Sequence, residues 1–484
     1  MPIPIETFFL PEDAEGTLQN QIQQLVAEGI LSGRFRPGEK LPSSRGLAKH
    51  LGVSRITVTL AYTELLADDY LTSRGRSGYY VSDNAPQSPK FPVTRRQDNV
   101  DWSRAIGQRY SGTVNLSKPQ DWRRYPYPFI YGQADETLFD RSNWRLCALQ
   151  ALGSREFDSL TRDYNDQDDP KLIEFILRHT LPRRGILAKP DEVLVTMGAQ
   201  NALWLAAKVL LNQRRRAVLE NPCYPAMRDI LALARCNITA VDVDEDGLPP
   251  HRLPQDLDVL FTTPSHQCPT AATMPLERRK DLLNLAKERD FLIVEDDYEF
   301  EMSFLNTPSP ALKSLDSDGR VIYVGSFSKS LFPGLRLGYL VGSKEFIREA
   351  RALRTTVLRH PPGHIQRTAA FFLSLGHYDA LVRRMGVALH ERRAAMVDAL
   401  DRQGLTIAGQ GEFGGSSIWV QGPANLNSTA LAAKLKDQGV LIEPGEPFFA
   451  TQSAPQNFFR LAYSSIPPKK IDEGIALIGK AVRS

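Results

Sequence analysis

The sequence predicts an α/β protein in two parts: a small helix-turn-helix module, then a large domain on a mostly parallel sheet. Three observations carry that expectation. Two capped helical runs meet at Gly52 and lead into a basic, glycine-rich hairpin; a Pro-, Ser- and Gln-rich stretch begins at Asp83; and from Val193 to Val324 strand-like runs alternate with helical ones. At 484 residues the chain exceeds one ordinary domain, and 42% hydrophobic with 24% charged residues is a globular balance.

The first module is expected over residues 12–82. Leu18, Ile22, Leu25, Val26, Ile30 and Leu31 recur at helical spacing until Gly33 stops the run. A second helix runs from Ser43-Ser44-Arg45 to Gly52, and a third from Ser54 to Ala67, with Ile56, Leu60, Tyr62, Thr63 and Leu66 expected on or near its buried faces. Tyr70–Val81 then reads as two short strands around Arg74-Gly75-Arg76. Between Arg34 and Ser82 there are eight Lys or Arg against four acids, although the whole chain carries only +3. Local positive charge is what phosphate binding needs.

Residues 83–118 lack apolar periodicity and are expected to form a flexible linker. Residues 119–484 make the second domain. Its strand-like runs, 193–196, 217–220, 259–262, 291–294 and 321–324, are separated by helical runs at 200–211, 225–234 and 276–289. Ligands in such sheets bind beyond the carboxyl ends of the strands.

The candidate chemistry lies at those ends. Lys329 follows an apolar strand inside Gly325-Ser326-Phe327-Ser328-Lys329, and Arg336 stands seven residues on in an alternating strand pattern. A desolvated lysine sheds its proton more easily and can attack a carbonyl; Ser326, Ser328 and Arg336 are the groups a phosphate needs. Gly198-Ala199-Gln200 opens a helix, offering backbone N–H groups to an anion. Glu295, Asp296 and Asp297 follow an apolar strand, where an acid is costly unless paired.

Cys147, Cys223, Cys236 and Cys268 show no Cys-x-x-Cys spacing, so neither a zinc site nor a disulfide framework is indicated, no metal is expected, and the thiols are read as reduced and cytoplasmic. The start lacks a basic n-region, and no run of 18 apolar residues occurs, so no membrane role is expected.

The spacing Pro-Gly-Glu-Lys-Leu-Pro-Ser-Ser-Arg (37–45), Leu-Gly-Val-Ser-Arg (51–55) and Arg-Gly-Arg-Ser-Gly (74–78) resembles the GntR-type winged helix-turn-helix. That implies double-stranded operator DNA as partner, with Ser54, Arg55, Thr57 and Thr59 at the major groove and Arg45, Arg74 and Arg76 beside them. The lysine motif resembles fold-type I enzymes of pyridoxal 5'-phosphate (PLP). With the Tyr127–Gln133 entry segment and Thr263–Thr270 it is similar to the aminotransferase-like domain of the MocR group of regulators.

The resemblance implies PLP held as a Schiff base on Lys329. Ala199 and Gln200 would lie at its phosphate, Tyr224 would stack on its ring, Asp296 would face the ring nitrogen and Tyr298 its O3', while Arg460 would clamp an effector carboxylate. It further implies a homodimer in which an amino compound displaces Lys329, forming an external aldimine, and thereby alters DNA binding. Three departures stand out: Cys268 replaces an aromatic, Ala271 stands where glycine is usual, and Ala226 stands where the GABA-responsive member has a second arginine. The entry segment also has some similarity to taurine- and ectoine-responsive members. The rival expectation is a true aminotransferase that carries a DNA-binding module.

Overall fold

In the computed structural model, residues 2–11, 16–86, 99–111, 118–133, 135–163, 165–306, 309–409, 411–451 and 453–484 are described. The chain divides into two compact units, 1–108 and 109–484.

The first unit holds three helices, α1 (Leu18–Leu31), α2 (Ser44–Leu51) and α3 (Arg55–Ala67), and the antiparallel hairpin β1 (Leu71–Ser73) and β2 (Tyr79–Val81). Side-chain oxygens of Thr17, Ser43 and Ser54 cap the three helices, and Gly52 ends α2 in the left-handed region at φ 68°. That turn sets α3 against α2. The face α3 buries is Val58, Ala61, Tyr62 and Leu65. Ile56 and Leu60, expected on or near it, are instead exposed, at 72% and 48%, and so is Thr63. A helix start at Arg55 points them away from the core, and helical spacing read without that phase could not decide which of two apolar stripes is covered.

The expected start at residue 12 leaves out residues that pack on this core. Ile3 and Phe8 are buried, Phe8 stacks on Phe35 at 5.2 Å, and the Ile3 N–H donates to the Lys40 carbonyl at 2.8 Å. Their Pro-Ile-Pro-Ile setting has neither helical nor strand periodicity, so no pattern marks them. Within the expected linker, Ala85 is buried, and Trp102–Ala105 forms one helical turn capped by Asp101.

The second unit is organised by a seven-stranded sheet. Its strands are β3 (Val193–Thr196), β4 (Arg216–Asn221), β5 (Asn237–Asp242), β6 (Val259–Thr262), β7 (Leu292–Asp296), β8 (Val321–Ser326) and β9 (Gly338–Val341), in the order β3-β9-β8-β7-β6-β4-β5. Only β9 runs antiparallel to its neighbours. Strands β3, β6 and β8 are buried on both faces, which is why they read as continuous apolar runs. A smaller antiparallel sheet follows, with β10 (Thr406–Ile407), β11 (Ser417–Gln421), β12 (Glu443–Pro444) and β13 (Phe458–Ala462) in the order β10-β11-β13-β12. Strand β5 carries exposed and half-buried residues at the sheet edge, so it lacked the apolar signal of its neighbours.

Candidate functional site

The candidate side chains of the second unit sit at strand carboxyl ends, on the loops and helix starts that follow them, or, for Arg460, within strand β13 of the smaller sheet. Ala199, Gln200, Tyr224, Asp296, Tyr298, Ser326, Ser328, Lys329, Arg336 and Arg460 line one cavity together with Tyr131, Leu203 and Cys268. The cavity volume is about 130 Å³.

One end of the cavity is built for an anion. After β3 the chain turns at Gly198, φ 83° and ψ 172°, a conformation close to glycine's alone, and opens α4 (Ala199–Leu210). A Cβ at Gly198 would stand 3.5 Å from both Arg336 Nη2 and Ser328 Oγ. Backbone, hydroxyl and guanidinium therefore converge on a helix N-terminus. The Ser328 hydroxyl is buried without a hydrogen-bond partner, while Ser326 Oγ accepts the Ser328 N–H at 3.2 Å. Arg336 is not in a strand, as its alternating neighbours suggest; it takes φ 51° in a left-handed turn just before β9.

Three consecutive acids at the end of β7 meet three fates. Glu295 accepts the backbone N–H groups of Leu312 and Lys313, each at 2.9 Å. Asp297 is buried against Arg184 at 2.6 Å and accepts from the Tyr323 hydroxyl at 2.9 Å. Asp296 faces the cavity, and its Oδ1 has no partner. Burial, with Asp297 and Glu220 nearby, pushes its carboxyl up to about 8.

Lys329 lines the same cavity. Burial lowers its ammonium to about 8 against the opposing pull of Glu299, with Lys118 and Arg460 adding to the fall. Its Nζ lies 3.9 Å from the centre of the Tyr131 ring, and the Arg460 guanidinium lies 4.2 Å from that same centre. Tyr131 donates to Glu299 at 3.2 Å. Tyr224 donates to Gln200 at 3.3 Å, and burial moves its hydroxyl up to about 12. Cys268, in the place of the usual aromatic, does line the cavity, and burial moves its thiol up to about 12 as well.

Tyr131, Lys118, Glu299 and Glu443 carry no sequence signal that singled them out. Arg460 Nε donates to Glu443 at 2.8 Å because the β12–β13 register sets the two residues opposite each other. Among the described residues no group of three or more His, Cys, Asp or Glu could hold a metal ion.

In the first unit, Arg45 and Arg55 are exposed at the starts of α2 and α3. The Ser54 hydroxyl is used as a cap, accepting the Thr57 N–H at 3.1 Å and pairing with the Thr57 hydroxyl at 2.7 Å; Thr59 donates to the Arg55 carbonyl at 2.9 Å. Arg74 packs over the Tyr80 ring at 4.7 Å. The Arg76 side chain lies outside the described residues.

Two family models match in succession: bacterial regulatory proteins of the gntR family over 18–81, and aminotransferase class I and II over 144–478. The chain is 59% identical over its full length, and the relative's, to the HTH-type transcriptional regulator TauR of Rhodobacter capsulatus. It is 32% identical to the probable rhizopine catabolism regulatory protein MocR of Rhizobium meliloti, covering 96% of this chain and 94% of that one. The chain belongs to the MocR-type transcriptional regulators.

This MocR-type chain thus joins a DNA-binding GntR module to an aminotransferase-like α/β domain. No helix among its described residues is long and apolar enough to cross a membrane. Among solved structures, the second domain resembles α-aminoadipate aminotransferase LysN of Thermus thermophilus, complexed with N-(5'-phosphopyridoxyl)-L-leucine. That likeness has TM-score 0.70 and 29% identity, covering 79% of this chain and 98% of LysN. It also resembles kynurenine aminotransferase of Pyrococcus horikoshii, with TM-score 0.72 and 26% identity, covering 79% and 98%.

Proposed function

We propose that this regulator carries PLP on Lys329 and changes its grip on operator DNA when an amino compound takes the lysine's place. The observation that supports this most is the convergence, in one cavity, of a low-pKa lysine, an unpartnered buried acid and an anion cradle of Ser328 and Arg336 around Gly198. The residues fit the group. Gly198, Ala199, Gln200, Ser326, Ser328 and Arg336 would hold the phosphate, Asp296 the pyridine nitrogen, Tyr298 the ring hydroxyl, and Tyr224 and Cys268 would flank the ring.

When bound, PLP supplies an electrophilic carbonyl carbon that condenses with primary amines. Lys329, lowered to about 8, has a larger neutral fraction near pH 7 than an ordinary lysine. Asp296, raised to about 8 while unpartnered, would find a cationic partner in a pyridinium nitrogen and hold its charge against it. Arg460, kept charged by Glu443 against the cost of burial, faces the cavity as the anchor for an acidic effector.

An effector with an amine and an acidic group fits these anchors; taurine is the first compound to test, because TauR is a full-length relative and the entry segment resembles that of taurine-responsive members. The cytoplasm is the compartment where such a factor meets DNA, and a homodimer would present two winged helices to two half-sites. Within the wing and helix α3, Arg55 is the side chain we assign to base reading, with Arg45, Arg74 and Arg76 at the phosphates.

An absorbance spectrum of the protein beside its Lys329→Ala variant tests the reading, with and without amino compounds, followed by a gel-shift on the DNA upstream of its own gene. A near-visible band that needs Lys329, shifts with one amine and alters DNA retention is the expected result. Repeated turnover with an oxo-acid acceptor and no specific DNA shift would replace the switch with an aminotransferase.

A further inference from the structure

Arg460 does not meet the cavity as a free cation. Its Nε is held by Glu443 Oε2 at 2.8 Å, and the two side chains are 5% and 4% exposed. The other oxygen, Glu443 Oε1, makes no hydrogen bond but lies 3.5 Å from Lys118 Nζ. One buried carboxylate thus serves two cations. Buried charge is costly unless balanced, and this trio carries one positive charge in excess.

Lys118 is also placed to meet a ligand. A Cβ at Gly132 would lie 3.0 Å from Lys329 Nζ and 3.8 Å from Lys118 Nζ, so both amines approach the same point. Gly132 takes φ 77°, and its lack of a side chain keeps that point open. Lys118 keeps 30% of its side chain exposed, so an incoming ion can reach it. The other basic candidate is occupied: Arg228 donates to the Phe449 and Pro447 carbonyls, and position 226 is alanine.

We infer that Lys118 is the second cation of the effector site, and that Lys118 and Arg460, bridged by Glu443, select amino compounds bearing a single anionic head, carboxylate or sulfonate. This rests on the amine-sensing reading above. Lys118, whose ammonium also donates to the Tyr131 carbonyl, contributes a compact point charge with donors to spare, whereas Arg460, fixed through Nε, offers the terminal edge of its fork. A monoanion balances the trio; an uncharged amino alcohol leaves the excess charge in place.

The test is calorimetric titration of the full-length, PLP-loaded protein with taurine, β-alanine and ethanolamine, on the wild type, Lys118→Met and Lys118→Arg. Loss of a charge-assisted contact corresponds to about tenfold to hundredfold in affinity. Lys118→Met is expected to weaken the two anionic amines by that factor and ethanolamine by less than about threefold, with Lys118→Arg keeping the preference. Equal weakening of all three by Lys118→Met, or unchanged binding of the anions, overturns the assignment. Failure of the parent reading looks different: a wild type without a near-visible band, or one that binds none of the amines.

Discussion

Gly198→Ala isolates the anion cradle from the rest of the site. Two costs follow from the structure. At φ 83° and ψ 172° an alanine is in a region essentially reserved for glycine, a strain of about 1–3 kcal/mol. The new methyl would also stand 3.5 Å from Arg336 Nη2 and Ser328 Oγ, filling the space between the groups assigned to the phosphate. Gly319→Ala is the control, because Gly319 has φ 74° with nothing within 4 Å of its Cβ position. It takes strain of about 1–2 kcal/mol without touching the cavity. Both variants should melt lower than wild type in the cofactor-free form. Only Gly198→Ala should lose PLP in an absorbance titration, by tenfold or more if about 1.4 kcal/mol of contact is lost. A Gly198→Ala protein that binds PLP as tightly as Gly319→Ala would refute the placement of the phosphate at this turn.

Other predictions concern the acids and the DNA face. Asp296 has a folded pKa of about 8 against an ordinary value of 3.8, so the folded state holds a proton that the unfolded state releases between those values. Its contribution is full below about pH 4 and is lost as pH rises to about 8; the melting temperature of the cofactor-free protein should fall across that window, and Asp296→Asn should flatten the fall. Lys329 acts in a separate window. Its folded pKa of about 8 lies below the usual 10.5, so its contribution rises between those values, and Lys329→Met should remove that alkaline gain in the same melting series. Arg184→Met leaves Asp297 buried and unpaired, at a cost of about 3–5 kcal/mol, which denaturant unfolding would register. Arg55→Ala should cost about 1–3 kcal/mol of specific DNA affinity in a gel-shift, whereas Ser54→Ala should cost about 1 kcal/mol of module stability through its lost cap.

The sequence by itself determined the elements that are local in origin. Capping hydroxyls at Ser43 and Ser54, the left-handed Gly52 and the apolar runs of strands β3, β6 and β8 depend on neighbours within a few residues, and all stand where their pattern places them. Because the strands are parallel, their carboxyl ends share one edge, and that alone gathers Gly198, Tyr224, Asp296 and Lys329 without any knowledge of packing. What escaped the pattern depends on contacts between distant segments. Which apolar stripe of α3 is covered was decided by its packing in the module, and Ile56 and Leu60 fell on the open side. Phe8 became core because Phe35 was there to receive it. The same holds at the effector end: Glu443 meets Arg460 through strand register, and Lys118 and Tyr131 arrive from more than three hundred residues away in the chain. A residue's type and near neighbours fix its own backbone and its chance of burial, but the partner of a buried charge is chosen only when the tertiary fold brings two strands together.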